Sequence, residues 1–524
     1  MFNLVHERDI RIIAVDDDIV SLKMAEALLE DLGFTVDSFE SGTEAIVSFE
    51  TNQYDLVLMD INLPKMSGHD VIVKFREKTP EIPVIMMTVE SSESSIQDVF
   101  KSGANDYITK PFRSVELNAR ISNVLKTFHA ERKYQNLYRE MSDDLLAAAQ
   151  AQKYLLPSWC GEENNIIYSS YYSPSNIVSG DLFDVIKLDE SKTLLCLGDI
   201  SGHGVKSGVL MTSVVSAIRA LVSNVDGPLT IEEIYSRLNH PPLSGMFKSN
   251  YMTIVLGILD HEKNCFQYFN AGHPPLVKVD LWNRTASLLN DSGHVPLGWD
   301  LESNDDFVYN QIEIDNNHIY MMLSDGIFEC SDKYGSLLGL EGFLKFVNEC
   351  LVQGTDVSLP QTIISLLKEN GYALESDDVT AISFSRKDSS HNREIFTGKL
   401  EDVQRITELF HCYAFEATKN KLCADRVELA LTEILNNIVI HGAFPSTAGV
   451  NALIEYNHSN DFKLNIYEQG DAWDRQAKTN TLVSDYSTSG RGLKMLQELC
   501  ITYDVSHYEG INHHSAVFSA KEKK

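Results

Sequence analysis

Ser179-Gly180-Asp181-Leu182-Phe183-Asp184 and Leu197-Gly198-Asp199-Ile200-Ser201-Gly202-His203-Gly204 close two apolar runs with short acidic motifs, and the rest of the chain is organised around them. Further on come Ser324-Asp325-Gly326 and Asp377-Asp378-Val379-Thr380. Each carboxylate stands just before or just after a strand-like segment. Hard divalent cations take oxygen ligands and keep several waters, and these motifs contain neither cysteine nor paired histidines. The set therefore reads as a two-metal centre. Such a centre lowers the pKa of a bridging water and neutralises phosphoryl oxygens during in-line attack, so no side-chain nucleophile is needed.

Between the acidic motifs lie Phe269-Asn270-Ala271-Gly272-His273-Pro274-Pro275 and Ser292-Gly293-His294-Val295-Pro296-Leu297-Gly298. In this order the motifs resemble the metal-dependent type 2C serine/threonine phosphatases, in the bacterial stage II sporulation branch. The resemblance implies two Mg²⁺ or Mn²⁺ ions held by Asp181, Asp199, Asp325, Asp377 and the backbone carbonyl of Ile200. Asp378 stands beside Asp377, and the choice between them is open at this level. Asp184 is expected to orient a water or a neighbouring group. His203 and His273 stay unassigned, because a Gly-flanked histidine in a loop is commonly a hydrogen-bonding residue. The family's phosphate-gripping arginine has no evident counterpart.

At 524 residues the chain is too long for one core, and 43% hydrophobic residues suffice for several. A formal charge of −31 argues against a nucleic-acid surface, which would need clustered Lys and Arg. The eight cysteines show no ligand spacing, which fits a reducing compartment. No run approaches the apolar length of a membrane span and no signal peptide is evident, so a cytoplasmic protein without membrane contact is expected.

From Arg11 to Lys126 short apolar runs alternate with amphipathic segments, the pattern of a doubly wound sheet. Ile12–Val15, Leu56–Met59, Val84–Met87 and Tyr107–Ile108 are strand-like, and polar residues follow each at the carboxyl end, where such folds place their sites. These are Asp16 and Asp17, Asp60, Thr88, and Lys110 before Pro111. The set resembles the receiver domain of two-component response regulators. The resemblance implies Asp60 as phosphoacceptor, Asp16, Asp17 and Asp60 around one Mg²⁺, Thr88 and Lys110 on the phosphoryl group, and Tyr107 repacking with Thr88. A sensor histidine kinase would supply the phosphoryl group.

From Glu116 to Leu156 there is neither Gly nor Pro. Tyr134, Tyr138, Met141, Leu145, Ala148, Gln152 and Leu155 step as a heptad seam, out of phase with Leu117, Ile121, Val124 and Phe128, which predicts a helix continuing through a stutter. It serves either as a dimerising coiled coil that makes a homodimer or as a helix packed on one domain.

Past the polar stretch Lys387–Arg393 the pattern restarts. Val427–His441 reads as a helix with Glu433, Asn437 and His441 in one stripe beside its apolar face. Tyr467-Glu468-Gln469-Gly470 and Ser489-Gly490-Arg491-Gly492-Leu493 follow, glycines that let backbone amides approach phosphates. The segment is similar to the histidine-kinase-like ATPases of the anti-sigma-factor serine kinase branch. That implies ATP with Mg²⁺, Glu433 as base, Asn437 as Mg²⁺ ligand, and Glu468, Gly470, Gly490, Arg491 and Gly492 around the nucleotide. Glu468 departs from the family's adenine-reading aspartate by one methylene.

The expected architecture is multidomain α/β and α+β: a flavodoxin-like receiver (8–127), a helical connector (128–157), a helix-flanked β-sandwich phosphatase (158–388) and an α/β sandwich of the ATPase type (392–524). The expected function is a response regulator in which Asp60 phosphorylation controls a phosphatase and a serine kinase acting oppositely on an anti-sigma-factor antagonist, with a sigma factor as a further partner. The alternative is a receiver-controlled phosphatase whose last domain is a non-catalytic anti-sigma or docking module.

Overall fold

The computed structural model describes residues 10–89, 103–223, 229–240, 244–247, 250–289, 293–299, 307–353, 355, 357–387, 393–441, 452–458, 461–470, 472 and 491–520. The chain divides into two compact units, 1–143 and 144–524.

In the first unit β1 (Arg11–Val15), β2 (Thr35–Phe39), β3 (Leu56–Asp60), β4 (Val84–Thr88) and β5 (Asp106–Thr109) pair in parallel in the order β2-β1-β3-β4-β5. Alternate residues of each central strand enter two different cores. Ile13, Val15, Val57 and Met59 meet the helices Gly42–Thr51 and Gly68–Lys78, while Ile12, Ala14, Leu56 and Leu58 meet Ile19–Asp31 and the start of Ser114–Leu155. Burial on both faces is why these strands read as continuous apolar runs. β2 is only half-buried and mixes Thr, Asp and Ser with its apolar residues, so no such run announced it.

The helix Ser114–Leu155 runs unbroken for 42 residues through the expected phase change. Tyr134, Tyr138 and Met141 are exposed, the two rings stacked at 6.4 Å. Gln152 corrects the seam. It is buried, donating to the carbonyls of Ser179 (3.1 Å) and Gly208 (2.9 Å), and therefore belongs to the body of the second unit.

That unit opens with a sandwich of two antiparallel sheets. One contains β8 (Leu182–Lys187), β9 (Lys192–Ile200), β10 (Met252–Asp260), β11 (Cys265–Ala271) and β14 (Asn310–Glu313), in the order β14-β11-β10-β9-β8. The other contains β6 (Cys160–Glu163), β7 (Ile166–Ser173), β12 (Val277–Asp280), β13 (Thr285–Leu288), β15 (His318–Leu323) and β16 (Val379–Arg386), in the order β13-β12-β15-β16-β7-β6. Helices Val205–Ser223 and Ile231–Asn239 cover the first sheet, and Gly339–Val352 and Pro360–Glu369 the second. By length and composition alone Val205–Ser223 is apolar enough to cross a membrane, which corrects the expectation that no segment is. In this fold Met211, Val214, Val215 and Ile218 are buried against the first sheet, which accounts for the composition.

The chain ends in a five-stranded antiparallel sheet, β17 (Arg393–Phe396), β18 (Ala452–His458), β19 (Phe462–Gln469), β20 (Thr502–Tyr508) and β21 (Ile511–Phe518), ordered β17-β18-β19-β21-β20. One face, with Ile454, Leu464 and Ile466, packs under helices Leu400–Thr418, Lys421–His441 and Arg491–Leu499. The opposite face sends Ile395, Leu453, Tyr467 and Ile511 against Trp159, Cys160, Ile167 and Leu359 of the sandwich. Polar links rim this contact: Glu509 accepts from Tyr171 Oη (2.8 Å) and pairs with Lys368 (2.9 Å), and Lys387 joins Glu162 (2.8 Å) to Glu394 (2.9 Å).

A sheet face buried this way ties the stability of the two folds together. Trp159 is nearly buried, and Trp159→Ala should cost about 3–5 kcal/mol. Calorimetry of the intact chain should show the sandwich and the last sheet melting together, and Trp159→Ala should split that transition in two.

Candidate functional site

The two sheets of the sandwich deliver their acidic motifs to one end. β8 begins just after Asp181 and β9 ends through Asp199 and Ile200, with Leu182 paired to Gly198. On the facing sheet β15 stops before Ser324-Asp325 and β16 starts after Asp377-Asp378, with Leu323 paired to Ala381.

Gly180 and Gly326 are not turn glycines in the left-handed region, unlike Gly202 and Gly204 at φ 90° and 88°. A Cβ on Gly180 would lie 2.9 Å from the Ile200 carbonyl oxygen and 3.5 Å from Asp199 Oδ1. One on Gly326 would lie 2.2 Å from the Asp378 carbonyl oxygen. They are glycines because the loops touch backbone to backbone.

Asp378 makes that contact rigid. Its Oδ1 accepts from Ser175 N (2.7 Å) and Oγ (2.9 Å), and its Oδ2 from Ser179 Oγ (2.7 Å) and Gly180 N (2.9 Å). Both oxygens are spent on the loop that carries Asp181. Asp377 is only half-buried, and its Oδ1 accepts from the Asp378 amide at 2.8 Å. Ser324 Oγ accepts from Thr380 N (2.8 Å) and fixes the Asp325 turn to β16. Asp184 is not at the centre. It takes a bidentate ion pair from Arg219 at 2.7 and 3.1 Å and ties β8 to the helix Val205–Ser223, so of the two expected roles the geometry shows a neighbouring group being oriented.

Asp181, Asp199, Asp325 and Asp377 load this end with negative charge. Burial, then the Asp199 carboxylate, pushes the Asp181 carboxyl well up. Burial and Asp325 raise Asp199, and burial followed by Asp377 raises Asp325 to about 6. The Oδ2 of Asp181 is buried, and among the described residues no donor meets it in hydrogen-bond geometry. A buried acceptor so placed, among carboxylates that repel one another, fits a divalent cation.

In the receiver unit Asp16, Asp17 and Asp60 bring ligand oxygens within 4.8 Å of one another at the carboxyl ends of β1 and β3. Asp16 and Asp60 are buried and Asp17 exposed. Lys110 Nζ sits 2.7 Å from both Asp16 Oδ2 and Asp60 Oδ1, and Thr88 is buried at the end of β4. Burial raises the Asp60 carboxyl despite Lys110. Burial also disfavours the Lys110 charge, but its bonds to Asp16 and Asp60 outweigh it and raise that pKa. Tyr107 is half-buried, with the Arg120 guanidinium 5.2 Å over its ring. Sequence reasoning missed Gly68, where a Cβ would lie 2.0 Å from the Asp60 carbonyl oxygen. A lone glycine opening a helix gives no signal of that approach.

In the last domain Asn437 Nδ2 donates to Glu433 Oε1 at 3.1 Å, one helical turn apart. Glu468 lies on the helix-facing side of β19, in step with Leu464 and Ile466. It is buried, and its Oε1 receives Asn512 Nδ2 (3.2 Å) and faces His514 Nε2 (3.5 Å). Gly470 N donates to Gly510 O at 3.0 Å. Arg491 and Gly492 open the helix Arg491–Leu499, while Gly490 lies outside the described residues, as does Ser292.

Family models match the chain in three places: a response regulator receiver domain over residues 12–122, the stage II sporulation protein E family over 189–387, and a histidine kinase-like ATPase domain over 396–513. The chain thus carries, in succession, a response regulator receiver domain, a stage II sporulation protein E-type domain and a histidine kinase-like ATPase domain. Among curated proteins it is similar to the transcriptional regulatory protein DltR of Streptococcus agalactiae, 41% identical over 111 residues, 21% of this chain and 50% of that protein. It is also similar to VanRB of Enterococcus faecalis, 37% identical over 117 residues, 22% and 53% of the two chains. The chain thus spans about half the length of these curated relatives. A solved structure of RsbU and RsbW domains from Mycobacterium tuberculosis is similar over 70% of this chain and 96% of that one, at 20% identity and TM-score 0.36. The SiaA-PP2C domain of Pseudomonas aeruginosa covers 48% of this chain, and 98% of its own length, at 18% identity and TM-score 0.40.

The raised Asp325 carboxyl fixes the sign of a pH effect. A folded-state pKa of about 6, above the ordinary carboxylate value, makes ionisation costly in the metal-free fold, so this group's stabilising contribution is lost as pH rises from the ordinary carboxylate range to about 6. Thermal melts of chelator-treated protein should therefore show a larger gain in Tm from added Mn²⁺ at pH 8 than at pH 5.

Proposed function

We propose that the chain is a signal-gated phosphatase and kinase acting on one phosphorylatable protein partner, an anti-sigma-factor antagonist, in partner switching. The observation that carries the phosphatase reading is the delivery of Asp181, Asp199, Asp325 and Asp377 to one end of the two sheets, where burial and neighbouring carboxylates raise Asp181, Asp199 and Asp325, with Asp378 committed to holding the loops. Asp181, Asp199, Asp325, Asp377 and the Ile200 carbonyl would hold two Mg²⁺ or Mn²⁺ ions. Bound there, the ions supply a water nucleophile at neutral pH and neutralise phosphoryl charge. The protein's own share is positional: Asp378, Ser179 and Ser324 fix the loops so that the carboxylates are set before substrate arrives.

Asp60 is the proposed phosphoacceptor, charged by a sensor histidine kinase. Lys110 would move its ammonium onto the acyl phosphate and Thr88 its hydroxyl, while Asp16, Asp17 and Asp60 hold one Mg²⁺. In the last domain Glu433 would take the proton from the substrate hydroxyl, Asn437 hold Mg²⁺ on ATP, and Glu468, Gly470, Gly490, Arg491 and Gly492 contact the nucleotide. Asp60 phosphorylation would bias the opposing activities, acting through the helix Ser114–Leu155 or a homodimer formed along it. The composition is that of a cytoplasmic signalling protein without nucleic-acid contact.

A second reading of the last domain has its own observation. Glu468 is engaged by Asn512 and His514, which favours a module that sequesters the antagonist or a sigma factor without catalysis. Titration with a fluorescent ATP analogue separates the two, since the kinase requires binding that Asn437→Ala removes.

The direct test incubates the purified chain with a candidate antagonist from the same genome, ATP and Mn²⁺, and follows serine phosphorylation by mass spectrometry. Asp199→Asn should abolish dephosphorylation and leave phosphorylation intact, and Glu433→Ala should do the reverse. Loss of both activities in either folded variant would sink the two-site reading. Loading Asp60 with a small phosphodonor should shift the phosphorylated fraction, and Asp60→Asn should not respond.

A further inference from the structure

The histidine of Phe269–Pro275 is neither a proposed metal ligand nor a nucleophile, yet it is wedged beside the acidic site. β11 ends at Ala271, and Gly272 turns the chain in the left-handed region at φ 72°, with Pro296 so near that a Cβ would lie 2.6 Å from its Cγ. Asn270 closes the turn: its Oδ1 accepts from His273 N (2.8 Å) and its Nδ2 donates to His273 O (2.9 Å). The turn pushes the His273 ring into the sandwich, where it is 6% exposed.

There its Nδ1 lies 2.9 Å from Thr253 Oγ1. Thr253 stands opposite Asp199 in the β9–β10 register, and the next pair is Met252 with Ile200. Residues directly opposite on neighbouring strands share a face, so the hydroxyl that His273 holds is on the Asp199 side of the sheet. Met252 is gripped in turn by Leu297, through N–H···O bonds of 2.9 and 2.8 Å in the two directions. On its other side the ring meets the Leu323 backbone, two residues before Asp325. Burial pushes the imidazole down to about 3, against a smaller opposite effect of that backbone, so the ring is neutral. Its Nε2 is buried, and among the described residues no group meets it in full hydrogen-bond geometry.

We propose that His273 is a positioning residue for the metal-binding carboxylates: through Thr253 it sets the β10 backbone to which β9 is paired where it presents Asp199 and the Ile200 carbonyl, and it braces β10 against the end of β15 that presents Asp325. The proposal rests on the two-metal reading of the site. The bond to Thr253 is the working contact, and the remaining ring surface fills the space between the sheets. Groups that orient metal ligands from behind typically change metal affinity by about 10–100-fold when removed.

The test is Mn²⁺ binding by titration calorimetry on the full chain, counting as the phosphatase sites those that Asp199→Asn removes. His273→Leu deletes the bond and Thr253→Val deletes its other half, whereas His273→Asn keeps an acceptor near the Nδ1 position. Both deletions should weaken Mn²⁺ binding about tenfold, and the double variant should be no weaker than either alone. His273→Asn should stay within about threefold of wild type. Wild-type Mn²⁺ affinity in folded Thr253→Val, or additive losses in the double variant, would overturn the proposal while leaving the metal centre standing. If Asp199→Asn removes no Mn²⁺ site at all, the two-metal reading falls and the proposal with it. Thermal melts accompany each variant. A lowered Tm at unchanged affinity assigns His273 to packing alone, and should His273→Leu not fold, Thr253→Val and His273→Asn still decide.

Discussion

The acidic end of the sandwich depends on one carboxylate whose two oxygens are both spent on hydrogen bonds. Asp378 accepts from the backbone of Ser175 and Gly180 and from the hydroxyls of Ser175 and Ser179, and so fastens the loop bearing Asp181 to the loop bearing Asp377. Four carboxylates gathered at low dielectric repel one another, and without a cation the arrangement works against the fold. A fifth, fully hydrogen-bonded carboxylate is what keeps them in place. Ser324 does the same for Asp325, and the bare backbones of Gly180 and Gly326 make the approach sterically possible. Charge is concentrated where chemistry needs it, and the opposing free energy comes from hydrogen bonds a few ångströms behind.

The same end of the sandwich receives the tail of the long helix. Gln152 bonds the carbonyls of Ser179 and Gly208 and accepts from Ser179 N at 3.3 Å, so the helix end is stitched directly to the residue that holds Asp378. An amide buried among backbone groups is satisfied only in one position, because losing a partner leaves a polar group stranded. That makes the register of this helix end a property the acidic loops feel.

The last domain is welded to the sandwich rather than tethered to it. Its sheet spends one face on its own helices and the other on Trp159, Cys160, Ile167 and Leu359. Glu509, which holds Tyr171 and Lys368, sits in the turn beside Gly510, whose carbonyl accepts from Gly470. Tyr171 is on β7, the strand that pairs with β16 just beyond Asp378. The proposed nucleotide and metal sites thus share a short run of packed structure, which a flexible linker could not provide.

Residue order alone determined four of the five parallel receiver strands, because their apolar runs each lead to a functional residue, while half-buried β2 gave no such run. It also determined the long helix, which lacks any Gly or Pro, and the identity of the acidic motifs. It left Asp377 and Asp378 indistinguishable, since adjacent aspartates differ only in which backbone donors the far loops bring to them. Gln152 read as a seam residue and Asp184 as orienting an unnamed water or neighbouring group, because their partners Ser179, Gly208 and Arg219 lie across gaps of 27 to 56 residues. Glu468 read as a longer aspartate, and only the β19–β21 pairing brought Asn512 and His514 to its oxygen. Period and composition are local and survive in the sequence. Which donor finishes which acceptor is set by strand register and loop approach, and tertiary structure alone decides those.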